Sequence, residues 1–378
     1  MLLGLTPDQI FFRETTARFL DEQAPPDRVR ALRDDPAGFD PEYWRRGAEL
    51  GWTSPLVSEA NGGGTISGAG LADLALVAYE FGRHAAPGPL VATNVVASAL
   101  STHDAHTDVL AALLSGEGIA TWCPPEPEPV RGGWRPSVEV DRDGATLVVR
   151  GEVRPVEAAV QADHFLVTAR DGNRTTQVLV PASADGVSVA PMQTMDLTRR
   201  FGAVTFHDVR LAPEALVGAA GEARPEVERQ LRQALALLNA EAVGTMQAAF
   251  DMTVEWAFDR YSFGRPLASY QALKHRYADM MTWLEASHAI GDAALVATED
   301  DAADADELTS AAKAFIGEYG AELIQDCVQM HGGIGITFEH DLHLFLRRFT
   351  VNRSLVGTPA DHRQRIATIL DEQGGEAA

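Results

Sequence analysis

The chain has 378 residues, of which 46% are hydrophobic and 22% charged, the make-up of an ordinary globular protein large enough for two or three domains. Acidic residues number 54 against 31 Lys and Arg, a net charge of -23; that excludes nucleic acid and anionic membrane surfaces as partners, because both need clustered positive charge. Two cysteines, Cys123 and Cys327, make no disulfide framework and predict a reducing, cytoplasmic setting.

The first stretch, MLLGLTPDQIFF, has neither a basic segment nor a small-residue cleavage site, so no signal peptide is expected. No apolar run reaches the roughly 18 residues of a membrane span. Residues 1–118 read as a helical domain. Thr6 is placed to cap a helix that Pro7 begins, and Asp40 and Pro41 repeat the device ahead of a stop at Gly51. NGGGTISGAG, from Asn61, is a loop; NGGG lacks the lysine and preceding strand of a phosphate loop. Apolar helices joined by the turn PGP follow it.

Residues 119–222 change texture. SVEVDRDGATLVVRGEV alternates on both sides of Asp143-Gly144, a hairpin signal. Further short β-rich runs follow, and the region reads as a small antiparallel β domain. Residues 223–378 return to helix. Leu231, Leu235, Leu238, Ala242, Met246, Ala249 and Trp256 keep one apolar face over many turns. Two more long helical stretches and a final one, PADHRQRIATILDEQ, complete an expected four-helix bundle. The acidic run Glu299 to Glu307 reads as a solvated loop between two of them. The fold class is therefore α+β: helical domain, β domain, helical bundle.

Between the first two long helices stands RYSFGRPLASYQ. Gly264 and Pro266 end a helix, yet Arg260, Arg265, Phe263 and Gln271 exceed what a turn requires. An arginine fork suits phosphate oxygens, and an aromatic suits a ring face. Later, QMHGGIGITFEHDLHLFLRR places Gln329 before Gly332, Gly333 and Gly335, which let backbone approach a phosphate or ribose.

Together and in this order the two segments resemble the signatures of the acyl-CoA dehydrogenase family, and the helix–β–helix layout extends the resemblance over nearly the whole chain. The resemblance implies an FAD flavoprotein that dehydrogenates an acyl-CoA between its α and β carbons. It implies assembly with a second such subunit or with itself, as a tetramer, and electrons passed to an electron-transfer flavoprotein or a similar acceptor. In the family the flavin lies at a subunit interface. Carried over, its diphosphate and adenosine would be held by Arg260, Ser262, Phe263, Gln271, Gln329, Gly332 and Gly333. No metal is implied, and His340, Asp341 and His343 lack a further ligand.

The chain departs from the family where the chemistry happens. Most members carry the proton-abstracting glutamate in a Tyr–Glu–Gly–Thr-like segment, which corresponds here to LVGT with Val356 at the base position. Others carry it on the long helix before the first signature, at a position that falls near Ala234 and Leu235. The nearest carboxylate on that helix is Glu241, a weak candidate base set against the plainer reading of a buried, satisfied glutamate. ATWCPPEPEPVRGGW replaces the family's flavin-contacting Thr–Glu–Pro loop, and RGEVRPVEAAVQADHFLV replaces the strand that covers its ring. The pattern is most similar to base-lacking subunits of the heteromeric enzymes that actinobacteria use on steroid side-chain CoA thioesters. The alternatives are a flavin-dependent monooxygenase or oxidase on the same fold, for which Val356 would be natural, and a non-catalytic partner subunit. His331 reads as a loop residue, Cys123 as unreactive, and Arg347 and Arg348 as solvated or inter-subunit salt-bridge residues.

Overall fold

The computed structural model describes residues 4–128 and 132–376. Six helices come first: α1 (Pro7–Gln23), α2 (Pro26–Ala31), α3 (Pro41–Glu49), α4 (Gly70–His84), α5 (Leu90–Thr102) and α6 (Thr107–Ser115). The caps are where the residue types put them. Thr6 accepts from the Gln9 amide and the Gln9 side chain accepts from that of Thr6, a reciprocal box. Asp40 caps α3 through the Glu42 amide. Helix α5 is buried from Leu90 to Ser101, as its unbroken apolar sequence requires.

Among the described residues the middle region forms ten strands: β1 (Ala120–Cys123), β2 (Glu126–Glu128), β3 (Gly133–Arg135), β4 (Val138–Asp143), β5 (Thr146–Glu157), β6 (His164–Asp171), β7 (Arg174–Pro181), β8 (Val187–Met192), β9 (Phe201–Leu211) and β10 (Leu216–Val217). The main sheet runs β10-β7-β6-β4-β5-β9-β8. Asp143 pairs with Thr146, so the tight turn is Gly144-Ala145, with Gly144 at φ 65° as a primed hairpin turn demands. The expected antiparallel arrangement holds for most pairs but not all: β1 and β4 both run parallel to β6. Hairpin alternation cannot reveal this, because parallel partners are joined by long connections that leave no local turn signal. Valines and Phe165 and Phe206 fill the domain's own core.

The rest is α7 (Arg224–Asp259), a small hairpin of β11 (Tyr261–Ser262) and β12 (Arg265–Pro266), then α8 (Gln271–Glu299), α9 (Ala305–His331), α10 (Leu342–Ser354) and α11 (Pro359–Glu376). Helix α9 packs on α7, α8 and α11. Helix α7 also lies against α4, where a Cβ at Gly82 would sit 2.0 Å from the Glu241 carbonyl oxygen, and one at Gly244 2.0 Å from that of Tyr79. The two backbones touch because both crossing positions lack a side chain. Among the described residues no helix is long and apolar enough to cross a membrane.

Two readings need correction. The acidic run is not simply solvated: Asp301 and Asp306 pair with Arg232, Asp306 also with Arg365, and Glu299 accepts from the Ala72 amide. Arg348 is neither solvated nor at a subunit contact but 1% exposed. It pairs with Asp196 at 2.6 Å and Glu241 at 2.8 Å, and donates to the Ala86 carbonyl at 2.8 Å and to the Thr198 hydroxyl. Arg199 completes the cluster, bidentate to Glu157 and 3.4 Å from Glu241. Helical, sheet and bundle segments are thus tied by one buried ionic knot. Arg347 is half-buried and donates to the Met195 carbonyl.

Candidate functional site

Where α5, β1, β5, α7 and the α10–α11 connection converge, they leave a cavity of about 190 Å³. Val91, Trp122, Phe201, Ala234, Leu238, Leu355 and Val356 give it largely apolar walls. Both expected base positions, Val356 and Ala234, line it; Leu235 is buried but does not. Neither lining residue can take a proton.

Val356 stands at φ 54°, which a β-branched side chain adopts only under compulsion. The compulsion is visible. His362 donates from Nε2 to the Val356 carbonyl at 2.8 Å, Gly357 follows at φ 92°, and Asp361 accepts from the amide and hydroxyl of Thr358. Burial lowers the His362 pKa to about 4, against the stabilising bond to Val356. The imidazole is therefore neutral, with its proton on the nitrogen that faces the carbonyl. Behind the turn, Lys313 is 2% exposed and donates to the Asn352 carbonyl at 2.6 Å. Burial, with Arg199 adding to it, lowers its pKa to about 7.

Glu241 does not reach the cavity. It is 3% exposed and held by Arg348 and Arg199, the surroundings that the plainer reading of a buried, satisfied glutamate expects. Burial presses the Asp196 carboxyl upward, but Arg348 and the Thr198 hydrogen bonds outweigh that and hold it below its ordinary value.

Three carboxylates do line the cavity, and sequence alone singles out none of them. Glu157 is committed to Arg199 and Asp361 to Thr358. The Glu126 side chain, exposed at the mouth, makes no hydrogen bond or ion pair among the described residues. It is legible in sequence only as part of a segment that lacks the family pattern. The same wall carries Pro124, Pro125 and Pro155. Proline has no N–H, so the wall is poor in the donors that the polar edge of a flavin ring needs. Residues 129–131 of the replaced loop lie outside the described residues.

The second constellation is an edge. The break after α7 is a hairpin whose turn, Phe263-Gly264, has φ 50° and 81°. Phe263 is 98% exposed. Tyr270 braces the hairpin, donating to the Ser262 carbonyl at 2.6 Å while Arg265 lies 3.9 Å over its ring. Gln271 opens α8, whose first turn has no side-chain cap. Arg260 lies 5.9 Å over Trp256, and Trp256 stacks on His331 at 5.3 Å. That stack joins the α7 end to the α9 end, so Arg260 and the turn at Gly332 and Gly333 belong to one edge. Gln329 is exposed on the last turn of α9, and added Cβ atoms at both glycines would meet nothing. Arg260, Arg265 and Lys274 have no ion-pair partner among the described residues. The edge therefore has the free cations, uncapped amides and open backbone that a diphosphate requires. None of its residues lines the cavity.

Among the described residues no cluster suited to a metal ion occurs, and Asp341 pairs with Arg30. Burial raises the thiol of Cys123 well above its ordinary value.

The family model for the acyl-CoA dehydrogenase N-terminal domain matches residues 6–117, and that for the C-terminal domain matches residues 226–370. The chain is 30% identical to acyl-CoA dehydrogenase IpdE2 of Mycobacterium tuberculosis, over 96% of this chain and 98% of that one. It is 28% identical to IpdE2 of Mycolicibacterium smegmatis over the same shares. Among solved structures it is similar to a variant of the Tcur3481-Tcur3483 steroid ACAD, with TM-score 0.87 and 27% identity over 97% of this chain and 98% of that one.

Proposed function

The chain belongs to the acyl-CoA dehydrogenase family of FAD-dependent oxidoreductases, and from that premise we propose that it serves as the base-lacking subunit of a heteromeric dehydrogenase. One observation carries this reading. The edge fitted to a diphosphate and the cavity fitted to an acyl group share no residue, and only the edge keeps its chemistry. An edge that cannot serve its own cavity is free to serve a neighbour's.

FAD, when bound, supplies the two-electron acceptor for α,β-dehydrogenation. This chain's part is to hold it. Arg260 offers paired N–H donors to the diphosphate, and Gln271 and the open amides of α8 lie beside it. Gln329 and the turn at Gly332 and Gly333 admit the adenosine end, and Ser262 and Phe263 bound it from the hairpin. The partner brings the ring wall and the carboxylate that Val356 and Ala234 lack. A steroid acyl group is the substrate class we assign, by similarity to the steroid ACAD. A tetramer of two kinds of chain and an electron-transfer flavoprotein complete the assignment.

Flavin retention tests it. Purified as a complex with its partner, the protein should hold FAD through desalting. Arg260→Ala should weaken that hold roughly ten- to a hundredfold, the worth of one charge-assisted contact. Undiminished retention in that variant would remove the edge from the flavin site.

A further inference from the structure

The edge can grip a diphosphate only if Arg260, an exposed side chain at a helix end, is held in place. We propose that Trp256 is its positioning residue: the indole, stacked on a neutral His331, holds the Arg260 guanidinium ready for the flavin diphosphate and loses that hold when His331 becomes charged. The proposal rests on the reading of the edge as a flavin site and names what sets its geometry.

Three observations carry it. Arg260 has no ion-pair partner among the described residues, and its Cζ lies 5.9 Å from the centre of the Trp256 ring. A guanidinium over an indole is attracted by the ring face. Next, the indole is itself fixed. It stacks on His331 at 5.3 Å with 21° between the planes and meets His340 edge-on at 6.3 Å, and the two imidazoles lie 4.6 Å apart. Rings from α7, α9 and the segment before α10 thus close one cluster beside the arginine. Finally, His331 has room for one proton only. The Cys327 carbonyl, 2.8 Å from Nδ1, can only accept, so Nδ1 carries the hydrogen. Nε2 is left buried and without a partner among the described residues.

The charges around the cluster make that neutrality matter. Burial lowers the His331 pKa, against the bond to Cys327, and burial followed by His331 lowers that of His340. On α10, burial and Arg347 lower His343, with Arg30 and His340 adding to them. Arg33 lies over Phe338, which stacks on His343. The carboxylates that could answer a new charge are engaged or remote: Asp341 pairs with Arg30 and Asp326 with Arg276 of α8. Glu255, Asp259 and Glu339 are exposed and pair with neither ring. Burial keeps the Cys327 thiol protonated. A proton on Nε2 would therefore set an imidazolium against an indole that already faces a guanidinium, with nothing to offset it. The stack would open and Arg260 would lose its support.

The test measures the FAD affinity of the complex with its partner, by titrating the deflavinated protein from neutral pH down into the acid range. At neutral pH Trp256→Leu should weaken FAD roughly two- to thirtyfold, the worth of one cation–π contact, and Trp256→Phe should recover most of the loss. In an Arg260→Ala background Trp256→Leu should add nothing, because the two residues act through one contact. Wild-type affinity should fall as pH drops below 6.5, the ordinary imidazole value. His331→Phe keeps a stacked ring that cannot be charged, so its affinity should stay level across that range. Thermal midpoints verify that each variant folds. Additive losses in the double variant, or an unaltered acid fall in His331→Phe, overturn the proposal. A loss in Arg260→Ala without one in Trp256→Leu sinks this proposal alone. Undiminished affinity in Arg260→Ala removes the flavin edge and this proposal with it, so the two failures are told apart.

Discussion

At the scale of single residues, Arg348 is buried but answered on every side, by Asp196, Glu241, Thr198 and the Ala86 carbonyl. Removing either partner of such a pair leaves an uncompensated charge, which costs more than the pair contributes. Lys313, by contrast, is buried with one carbonyl and no carboxylate in contact. Its folded pKa, about 7, lies below its ordinary 10.5. Between those values the unfolded chain binds the proton and the folded chain does not, so stability rises with pH across that window. Chemical denaturation at pH 7 and pH 9 should show the wild type more stable at pH 9. Lys313→Met should flatten the difference; a slope that persists in the variant would place its origin elsewhere. Such a buried lysine is invisible in the sequence, because its neighbours come from α7, α10 and the segment before β9.

At the scale of elements, the α4–α7 crossing shows how two glycines fix a helix pair. Gly244→Ala would drive a Cβ to 2.0 Å from the Tyr79 carbonyl oxygen, a backbone atom that cannot rotate away. Overpacking of this kind costs about 1–3 kcal/mol. Gly291→Ala on α8 is the contrast. Its Cβ would meet only Ile316 at 3.7 Å, so relief of glycine's backbone entropy should stabilise by about 0.5–1 kcal/mol. Urea midpoints shifting in opposite directions would confirm the close crossing; equal shifts would refute it. Sequence shows both glycines as mere blemishes in helical patterns, since the approach that explains them involves another helix. What sequence does show is local. The Thr6 and Asp40 caps and the Gly144 turn are read from a few adjacent residues, and so are the long α7 and the break at Phe263-Gly264. The parallel pairing of β1 and β4 with β6, and the hairpin form of the break, depend on distant or three-dimensional partners. The candidate site divides the same way: Val356 is legible from its neighbours Gly357 and Thr358, whereas Glu126 gains meaning only when the fold brings it to the cavity that Ala234 and Val356 share.

At the scale of the whole molecule, the separation between edge and cavity sets a count. If each chain holds flavin only for its neighbour, and this chain's ring wall is built from Pro124, Pro125, Pro155 and a Glu157 already tied to Arg199, then two chains of unlike kind make one complete flavin site rather than two. Closed assemblies repeat that arithmetic at every copy of the interface. The chain purified alone should therefore be colourless after desalting. The complex with its partner should carry roughly half as many flavins as chains, counted from visible absorbance against protein concentration. A yellow chain with full occupancy by itself would mean that the proline-lined wall does accept the ring. The edge would then serve a second copy of the same chain, and the absent carboxylate at Val356 and Ala234 would have to be made good within this cavity.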